Sequence, residues 1–166
     1  MKKIPSEKEL TNICKIYLRD YWKEELIIPI KIDGRLKNSL GYFRHYGNFP
    51  GVISSMEFIK FSRDLFLYYT DEEIKKVILH ELCHYVLYKR GIEGYKDGNN
   101  AFENEIKRIK SISTKCIPYH GKMYKIYCPS CKKIIGETAK KKKADNFINN
   151  YLCKCKNVLK IEEYIK

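Results

Sequence analysis

The segment His80-Glu81-Leu82-Cys83-His84 places two histidines four residues apart, with a glutamate directly after the first. Side chains at positions i and i+4 lie on the same face of an α-helix, one turn apart. Two imidazoles arranged in this way can bind one zinc ion, and the adjacent carboxylate can act as a base instead of a ligand. The pattern therefore predicts a catalytic zinc held by His80 and His84, with Glu81 accepting a proton from the attacking water.

The residues around this segment predict the helix that the zinc site requires. Thr70 with Glu73 forms a capping box, and Gly91 is a typical stop signal, which together predict a helix over 71–90. Its apolar residues recur at helical spacing and should face a core. Cys83 projects away from the two histidines, so we interpret it as a buried core thiol.

A catalytic zinc needs a third protein ligand and one open position. The following segment supplies Asp97, and a predicted helix over 100–113 supplies Glu103 and Glu105. Spacing alone leaves all three carboxylates open as the third ligand.

Two cysteine pairs near the end of the chain predict a second metal site. Cys128 and Cys131 form one CxxC pair, and Cys153 and Cys155 form a shorter CxC pair. Two such pairs are typical of a zinc ribbon, in which four thiolates hold a structural zinc ion. The sequence therefore predicts two zinc ions, one catalytic and one structural.

The charge of the chain is concentrated in its second half. Residues 1–105 hold 17 Lys and Arg against 16 Asp and Glu, whereas residues 106–166 hold 16 against 4. A one-sided basic segment favours a polyanion partner such as nucleic acid. Lys140, Lys141, Lys142 and Lys143, read as a solvated loop between the cysteine pairs, are the candidate contacts to phosphate. The other interpretation is a solvated basic face without a partner.

The remaining pattern predicts an α+β fold. A capping box at Ser6 and Glu9 begins a helix over about 6–24, and three strands are expected at 28–33, Gly41–Arg44 and Met56–Phe61. Gly and Pro residues at 47–51 predict a turn between the last two strands. Further strands should flank the cysteine pairs.

Composition and length narrow the class of protein. The chain has 166 residues with 44% apolar and 32% charged residues, as expected of a folded globular protein. No run approaches the ~20 apolar residues that span a bilayer, so no membrane partner is expected. The start, MKKIPSEKEL, lacks the apolar region of a signal peptide, which makes the cytoplasm the expected location. We expect two domains, 1–115 and 116–166.

These motifs together resemble the SprT-like family, which includes the Spartan proteases. The resemblance rests on HELCHYVLYKRG (80–91), GYKDGNNAF (94–102), RLKNSLGYF (35–43) and the cysteine ribbon, and spans nearly the whole chain. It implies a small zincin-like metalloprotease domain, consisting of an N-terminal helix, a three-stranded sheet, the HExxH helix and a following helix, plus a small β zinc ribbon. The family has a third histidine ligand where this chain has Asp97, so the resemblance favours Asp97 over Glu103 and Glu105.

The resemblance implies a zinc-dependent endopeptidase that acts on proteins near or bound to nucleic acid, with single-stranded or damaged DNA as the expected partner. The departure at Asp97 supports an alternative, in which the chain is a nucleic-acid-binding zinc protein whose metalloprotease-like domain is catalytically degenerate. The sequence leaves the protein substrate and the oligomeric state undetermined.

Overall fold

The computed structural model describes residues 2–37, 39–46, 56–113 and 117–166. The turn predicted at 47–51 and the domain boundary predicted between 115 and 116 lie outside these residues. The chain divides into two compact units, Met1–Pro118 and Tyr119–Lys166, which are described separately below. Among the described helices, none combines the length and apolar character needed to cross a bilayer.

The first unit combines helices with one small sheet. Its described elements are α1 (Glu7–Trp22), β1 (Ile30–Asp33), β2 (Gly41–Arg44), β3 (Phe58–Ser62), α2 (Arg63–Tyr68), α3 (Asp71–Lys89) and α4 (Asn100–Arg108). In the sheet, β3 lies between β1, which is parallel to it, and β2, which is antiparallel. The predicted α+β class is thus confirmed, although the short helix α2 was not expected.

Helix α3 forms the centre of this unit. Every residue from Val77 to Tyr88 except His84 is buried, and α3 packs against β2, α4 and α1. Helix α1 buries Leu10, Cys14, Leu18 and Trp22 at a spacing of four residues. Because α3 is enclosed on nearly all sides, side chains in its middle have a rigid support.

Helix α4 ends earlier than the predicted residue 113. After its last residue, Arg108, the chain reverses at Lys110, whose φ is 53°. The N–H groups of Lys110 and Ser111 donate to the carbonyls of Lys107 and Ile106, at 3.1 and 3.0 Å. This is a Schellman motif, which satisfies the last carbonyls of a helix and ends it. The described residues that follow, 111–113, are therefore not helical.

The second unit is a three-stranded antiparallel sheet with one helix. Its described elements are β4 (Lys122–Tyr127), β5 (Ile134–Thr138), α5 (Lys141–Asn150) and β6 (Lys160–Ile165), and β4 lies between β5 and β6. The strand predicted before the first cysteine pair is confirmed. Around the second pair there is only an isolated bridge between Leu152 and Val158, with β6 beginning after it.

Helix α5 contradicts the sequence interpretation of the lysine run as a solvated loop in a ribbon made only of strands. Lys140 is the residue before the helix, and Lys141, Lys142 and Lys143 form its first turn. Ala144 is buried, and Phe147 and Ile148 pack against the small core of the unit. These apolar residues at helical spacing bury one face of the segment, which explains why it folds as a helix.

Candidate active site and metal centres

The ends of α3 hold its central residues in register. The Thr70 hydroxyl accepts a hydrogen bond from the Glu73 N–H at 3.3 Å, and the Glu73 carboxylate accepts one from the Thr70 N–H at 2.8 Å. This is the predicted capping box, and the acidic first turn also complements the helix dipole. The motif residues His80, Glu81 and His84 therefore lie in the interior of a helix whose N-terminus is stabilised by a cap.

Backbone carbonyls fix the orientation of both histidine rings. The Nδ1 atom of His80 lies 2.8 Å from the carbonyl oxygen of Ile112, and Nδ1 of His84 lies 2.6 Å from that of Tyr95. Because a carbonyl oxygen only accepts hydrogen bonds, each Nδ1 carries the proton, and in the neutral ring Nε2 keeps its lone pair. Metal-binding histidines are usually supported in this way, by a hydrogen bond from the ring nitrogen that does not bind the metal.

Asp97 completes a group of three possible ligands. The Nε2 atoms of His80 and His84 are 3.1 Å apart, and Oδ1 of Asp97 lies 3.3 and 3.4 Å from them. Ligands bound tetrahedrally to zinc at about 2.0–2.2 Å lie roughly 3.4 Å from one another, so the spacing fits. The adjacent rings of His80 and His84 hold the pKa of Asp97 well below its usual range, so this carboxyl group is ionised. These three residues could hold a metal ion.

The other two candidate third ligands have different partners. The Glu103 carboxylate accepts a hydrogen bond from the Gly98 N–H at 3.1 Å. Glu105 accepts from the Trp22 indole and forms an ion pair with Arg108 at 2.6 Å. The structure therefore brings Asp97, and neither of these glutamates, into the three-residue group with His80 and His84.

Glu81 is a buried carboxylate beside the histidine pair. Only 4% of the residue is exposed, and this burial raises its pKa, while the nearby histidines and the N–H of Phe43 oppose the rise. Gly41 on β2 allows the close approach, since a Cβ atom there would lie 2.8 Å from Cγ of Glu81. The edge strand of the sheet thus packs closely against the carboxylate that the sequence predicts to be the base.

These groups share one open cleft of about 420 Å³. It is lined by His80, Glu81, His84 and Asp97, by residues of β2 and the position just after it, and by the loop after α3, among them Gly41, Tyr42, His45, Tyr95 and Lys96. Sequence reasoning missed Gly41, His45 and Tyr95 as site residues. They come together only through the sheet and the loop, and the sole signal was that Gly41 falls in a predicted strand next to the HExxH helix.

The four cysteines of the second unit also converge. Sγ of Cys128 lies 3.5 Å from Sγ of Cys155, and Sγ of Cys131 lies 3.5 Å from Sγ of Cys153. All four sulfur atoms lie within 4.8 Å of one another, and the group could hold a metal ion. Hydrogen bonds from the side chain and backbone of Asn157 lower the pKa of Cys155 to about 6, which favours the thiolate form that binds metal.

The candidate nucleic-acid contacts lie on the surface of the second unit. Lys140, Lys141, Lys142 and Lys143 are all exposed, and Tyr151, just after α5, is 58% exposed. The four lysines lie at the N-terminal end of a helix, which is the positive end of its dipole. Their charges therefore add to the dipole and give a positive potential there. The positive ends of the backbone N–H groups add to the lysine charges in this first turn.

Comparisons with known proteins agree with the motifs. A model of the SprT-like family matches residues 10–120. Protein SprT-like of Oceanobacillus iheyensis is 28% identical over 163 residues, which cover 95% of this chain and 98% of the relative. Protein SprT-like of Bacillus subtilis is 27% identical over 159 residues, which cover 92% of this chain and 95% of the relative. The resemblance inferred from the sequence is thus confirmed, and the chain belongs to the SprT-like family.

Proposed function

We propose that this protein is a zinc-dependent endopeptidase with a zincin-like catalytic domain. The observation that carries the proposal is the convergence of three acceptor atoms, from His80, His84 and Asp97, beside the buried carboxylate of Glu81 in an open cleft. Three acceptors that face one another repel unless a cation lies between them. Three protein ligands with solvent access are typical of a catalytic zinc site and differ from a closed structural one.

The donor set fits zinc, which accepts imidazole nitrogen and carboxylate oxygen. When bound, zinc supplies a Lewis acid that activates water and polarises the substrate carbonyl. His80 and His84 would hold it through Nε2, and Asp97 through a carboxylate oxygen. The carbonyls of Ile112 and Tyr95 keep both rings in the tautomer that this requires.

Glu81 would handle the proton during peptide hydrolysis. Its carboxylate takes a proton from the attacking water and later delivers it to the leaving amine. Burial raises its pKa, which makes the carboxylate a stronger base towards the attacking water and leaves more of the acid form available to protonate the leaving amine. Gly41 and the Phe43 N–H hold the carboxylate in place, so little reorganisation is needed.

The test is a comparison of Glu81→Gln with wild type on casein, with zinc content measured on both. We expect activity to fall by at least about 10²-fold, the usual contribution of a general base, while both zinc equivalents remain. Glu93→Gln changes an exposed carboxyl group in the loop after α3 and is the matched control. Equal activity of Glu81→Gln and wild type would exclude Glu81 as the base.

We further propose that the second unit binds nucleic acid and so directs cleavage to proteins bound to DNA. The support is the exposed lysine run at the start of α5, with Tyr151 exposed at its end for stacking on bases. A Cys₄ zinc site would remove only two charges from the strongly basic segment 106–166. A reducing cytoplasm, the expected compartment, would keep the four thiols available for the metal.

Salt dependence tests this second proposal. Replacing Lys140–Lys143 with glutamine removes four charges but keeps good helix formers in α5. The slope of log K against log salt on single-stranded DNA should become shallower by up to ~4 × 0.7, because fewer counterions are released. DNA-stimulated cleavage should fall in parallel, whereas the basal rate stays the same. Lys8→Gln with Lys15→Gln on α1 is the control, and an equal slope in wild type and the fourfold variant would remove DNA from the proposal.

The alternative, a nucleic-acid-binding protein with an inactive protease-like domain, is favoured by one observation, the aspartate in place of the family's third histidine. An anionic ligand makes zinc a weaker Lewis acid. DNA binding without any Glu81-dependent cleavage by the zinc-loaded protein would establish this alternative.

A further inference from the structure

A hydrogen-bonded tyrosine–histidine pair lies in the wall of the same cleft. The Tyr95 hydroxyl is 3.1 Å from Nε2 of His45, and both residues line the cleft with Glu81 and the three candidate ligands. We propose that the Tyr95 hydroxyl donates a hydrogen bond to the carbonyl oxygen of the bound substrate and that His45 positions this hydroxyl. The inference rests on the proposed endopeptidase function and adds a residue that touches the substrate.

The His45 ring is held by aromatic neighbours from two elements. Its centroid lies 4.9 Å from the ring of Tyr88 on α3, at an interplanar angle of 32°, and 5.9 Å from the ring of Phe43 on β2. The Tyr95 ring meets it edge-on at 5.3 Å. An imidazole packed in this way has little freedom to turn, so the direction of its hydrogen bond is set before a substrate arrives.

Tyr95 is fixed from both of its ends. Its backbone carbonyl accepts the hydrogen bond from Nδ1 of His84, at 2.6 Å, and its side chain packs on Tyr88 with ring centroids 5.2 Å apart. Only 8% of the residue is exposed. Tyr95 is therefore anchored at its backbone to a candidate zinc ligand and at its ring to the aromatic side chains beside the cleft.

The hydrogen-bonding capacity of the pair leaves one donor for the substrate. A tyrosine hydroxyl carries one proton and accepts through its oxygen, whereas a neutral imidazole donates from one nitrogen only. In the proposed arrangement, His45 takes the tautomer that donates from Nε2 to the Tyr95 oxygen, which leaves the Tyr95 proton to point into the cleft. Peptide hydrolysis places negative charge on the carbonyl oxygen, and a preorganised donor there contributes about 10²–10³ in kcat.

The experiment compares wild type with Tyr95→Phe, His45→Ala and His45→Gln, all loaded with zinc. Tyr95→Phe removes only the hydroxyl and keeps both the ring and the carbonyl that holds His84. We expect kcat to fall about 10²-fold, with KM within about threefold, because the interaction is made in the transition state. His45→Ala should lose less, and His45→Gln, which keeps a side-chain N–H donor, should recover part of that loss.

A second readout does not depend on turnover. A phosphinic peptide carries a tetrahedral anionic group in place of the scissile amide, so it mimics the charge that the hydroxyl would stabilise. Its affinity for Tyr95→Phe should fall by about the same factor as kcat, whereas zinc affinity and melting temperature stay at the wild-type values. His120→Ala, which removes an imidazole from the second unit, should change none of these quantities.

Two results would overturn the inference while the endopeptidase proposal stands. In the first, Tyr95→Phe keeps wild-type kcat and phosphinic-peptide affinity. In the second, Tyr95→Phe loses zinc together with activity, which would make the hydroxyl an anchor of the loop and nothing more. Failure of the proposed function looks different, because wild-type protein would then neither cleave casein nor bind the phosphinic peptide, and the inference would fall with it.

Discussion

The two candidate metal sites differ in what holds their ligands. His80 and His84 project from a helix that the core of the first unit encloses, and hydrogen bonds to backbone carbonyls orient their rings. The cysteines of the second unit lie in short turns, and the core behind them is small, with Tyr124, Ile126, Ala144 and Leu159 among its buried residues. In the first unit the packed core positions the metal ligands. In the second unit we expect the bound metal to supply much of the stability of the fold.

The sites also differ in access. Four sulfur atoms would fill the coordination sphere of a zinc ion, whereas the described residues of the first unit bring three donors together, and these open onto the cleft. A closed site binds metal tightly and exchanges it slowly, while an open one leaves a position for chemistry. The following changes test this contrast, beginning with the one for which we expect the largest effect.

Replacing Cys128 and Cys131 with serine should unfold the second unit of the full-length chain. Structural zinc contributes about 10–16 kcal/mol of binding free energy, far more than so small a core can supply. Hydrogen exchange should show loss of protection across β4–β6, with protection of α3 unchanged. Ser130→Ala, within the same turn, is the control, and full protection of β4 in the cysteine variant would contradict the contrast between the units.

Replacing Asp97 with alanine should remove the labile zinc while the first unit stays folded. We expect the affinity of this site to fall by at least about 100-fold, since even a supporting residue of a metal ligand is worth 10–100-fold. Competition with a chelator measures the effect. Asp97→His should retain or tighten the metal, because it restores the third ligand that the family resemblance implies.

The glutamate variants keep this assignment falsifiable. Glu103→Ala and Glu105→Ala should retain the labile zinc, since their carboxylates have other partners. Zinc loss in either variant, with Asp97→Ala unaffected, would move the site to α4.

Glu105 should instead matter for stability and for its dependence on pH. The hydrogen bond that it accepts from Arg108 lowers its pKa most, and the one from Trp22 adds to this. Together they outweigh burial, which raises the pKa. A lowered carboxyl pKa adds stability that is present above the unfolded pKa of about 4.3 and is lost as the pH falls through the folded value. Glu105→Gln should therefore melt a few degrees below wild type at pH 7, and the gap should close as acid protonates Glu105. If the difference in melting temperature between Glu105→Gln and wild type stays constant down to the pH at which the protein unfolds, the ion pair with Arg108 does not contribute in this way.

Local signals were sufficient to predict much of this fold. The capping boxes at Ser6 and Thr70 and the stop at Gly91 gave the bounds of α1 and α3 to within two residues. The strand Gly41–Arg44 was predicted with its observed bounds. These features depend on side chains a few residues apart, and such short-range chemistry is visible in sequence.

Features without a local sequence signal were missed. Helix α4 ends at a left-handed lysine, Lys110, where neither glycine nor asparagine signals the reversal. The lysines of α5 suggested a solvated loop, because the burial of Ala144 is not visible in a charged run. His45 and Tyr95 are 50 residues apart in sequence, and only the sheet edge and the loop after α3 bring them together.

The carbonyls of Tyr95 and Ile112 have a consequence for how the length of this chain can vary. Surface loops ordinarily tolerate insertions and deletions, since few contacts fix their path. Here the loop after α3 and the segment after α4 each present one carbonyl oxygen to a histidine ring. One extra residue in either segment would shift that oxygen by up to about 3.5 Å, the length of one residue of extended chain, and would release the ring it orients. Loops that look dispensable should therefore be nearly fixed in length among members that keep the metal.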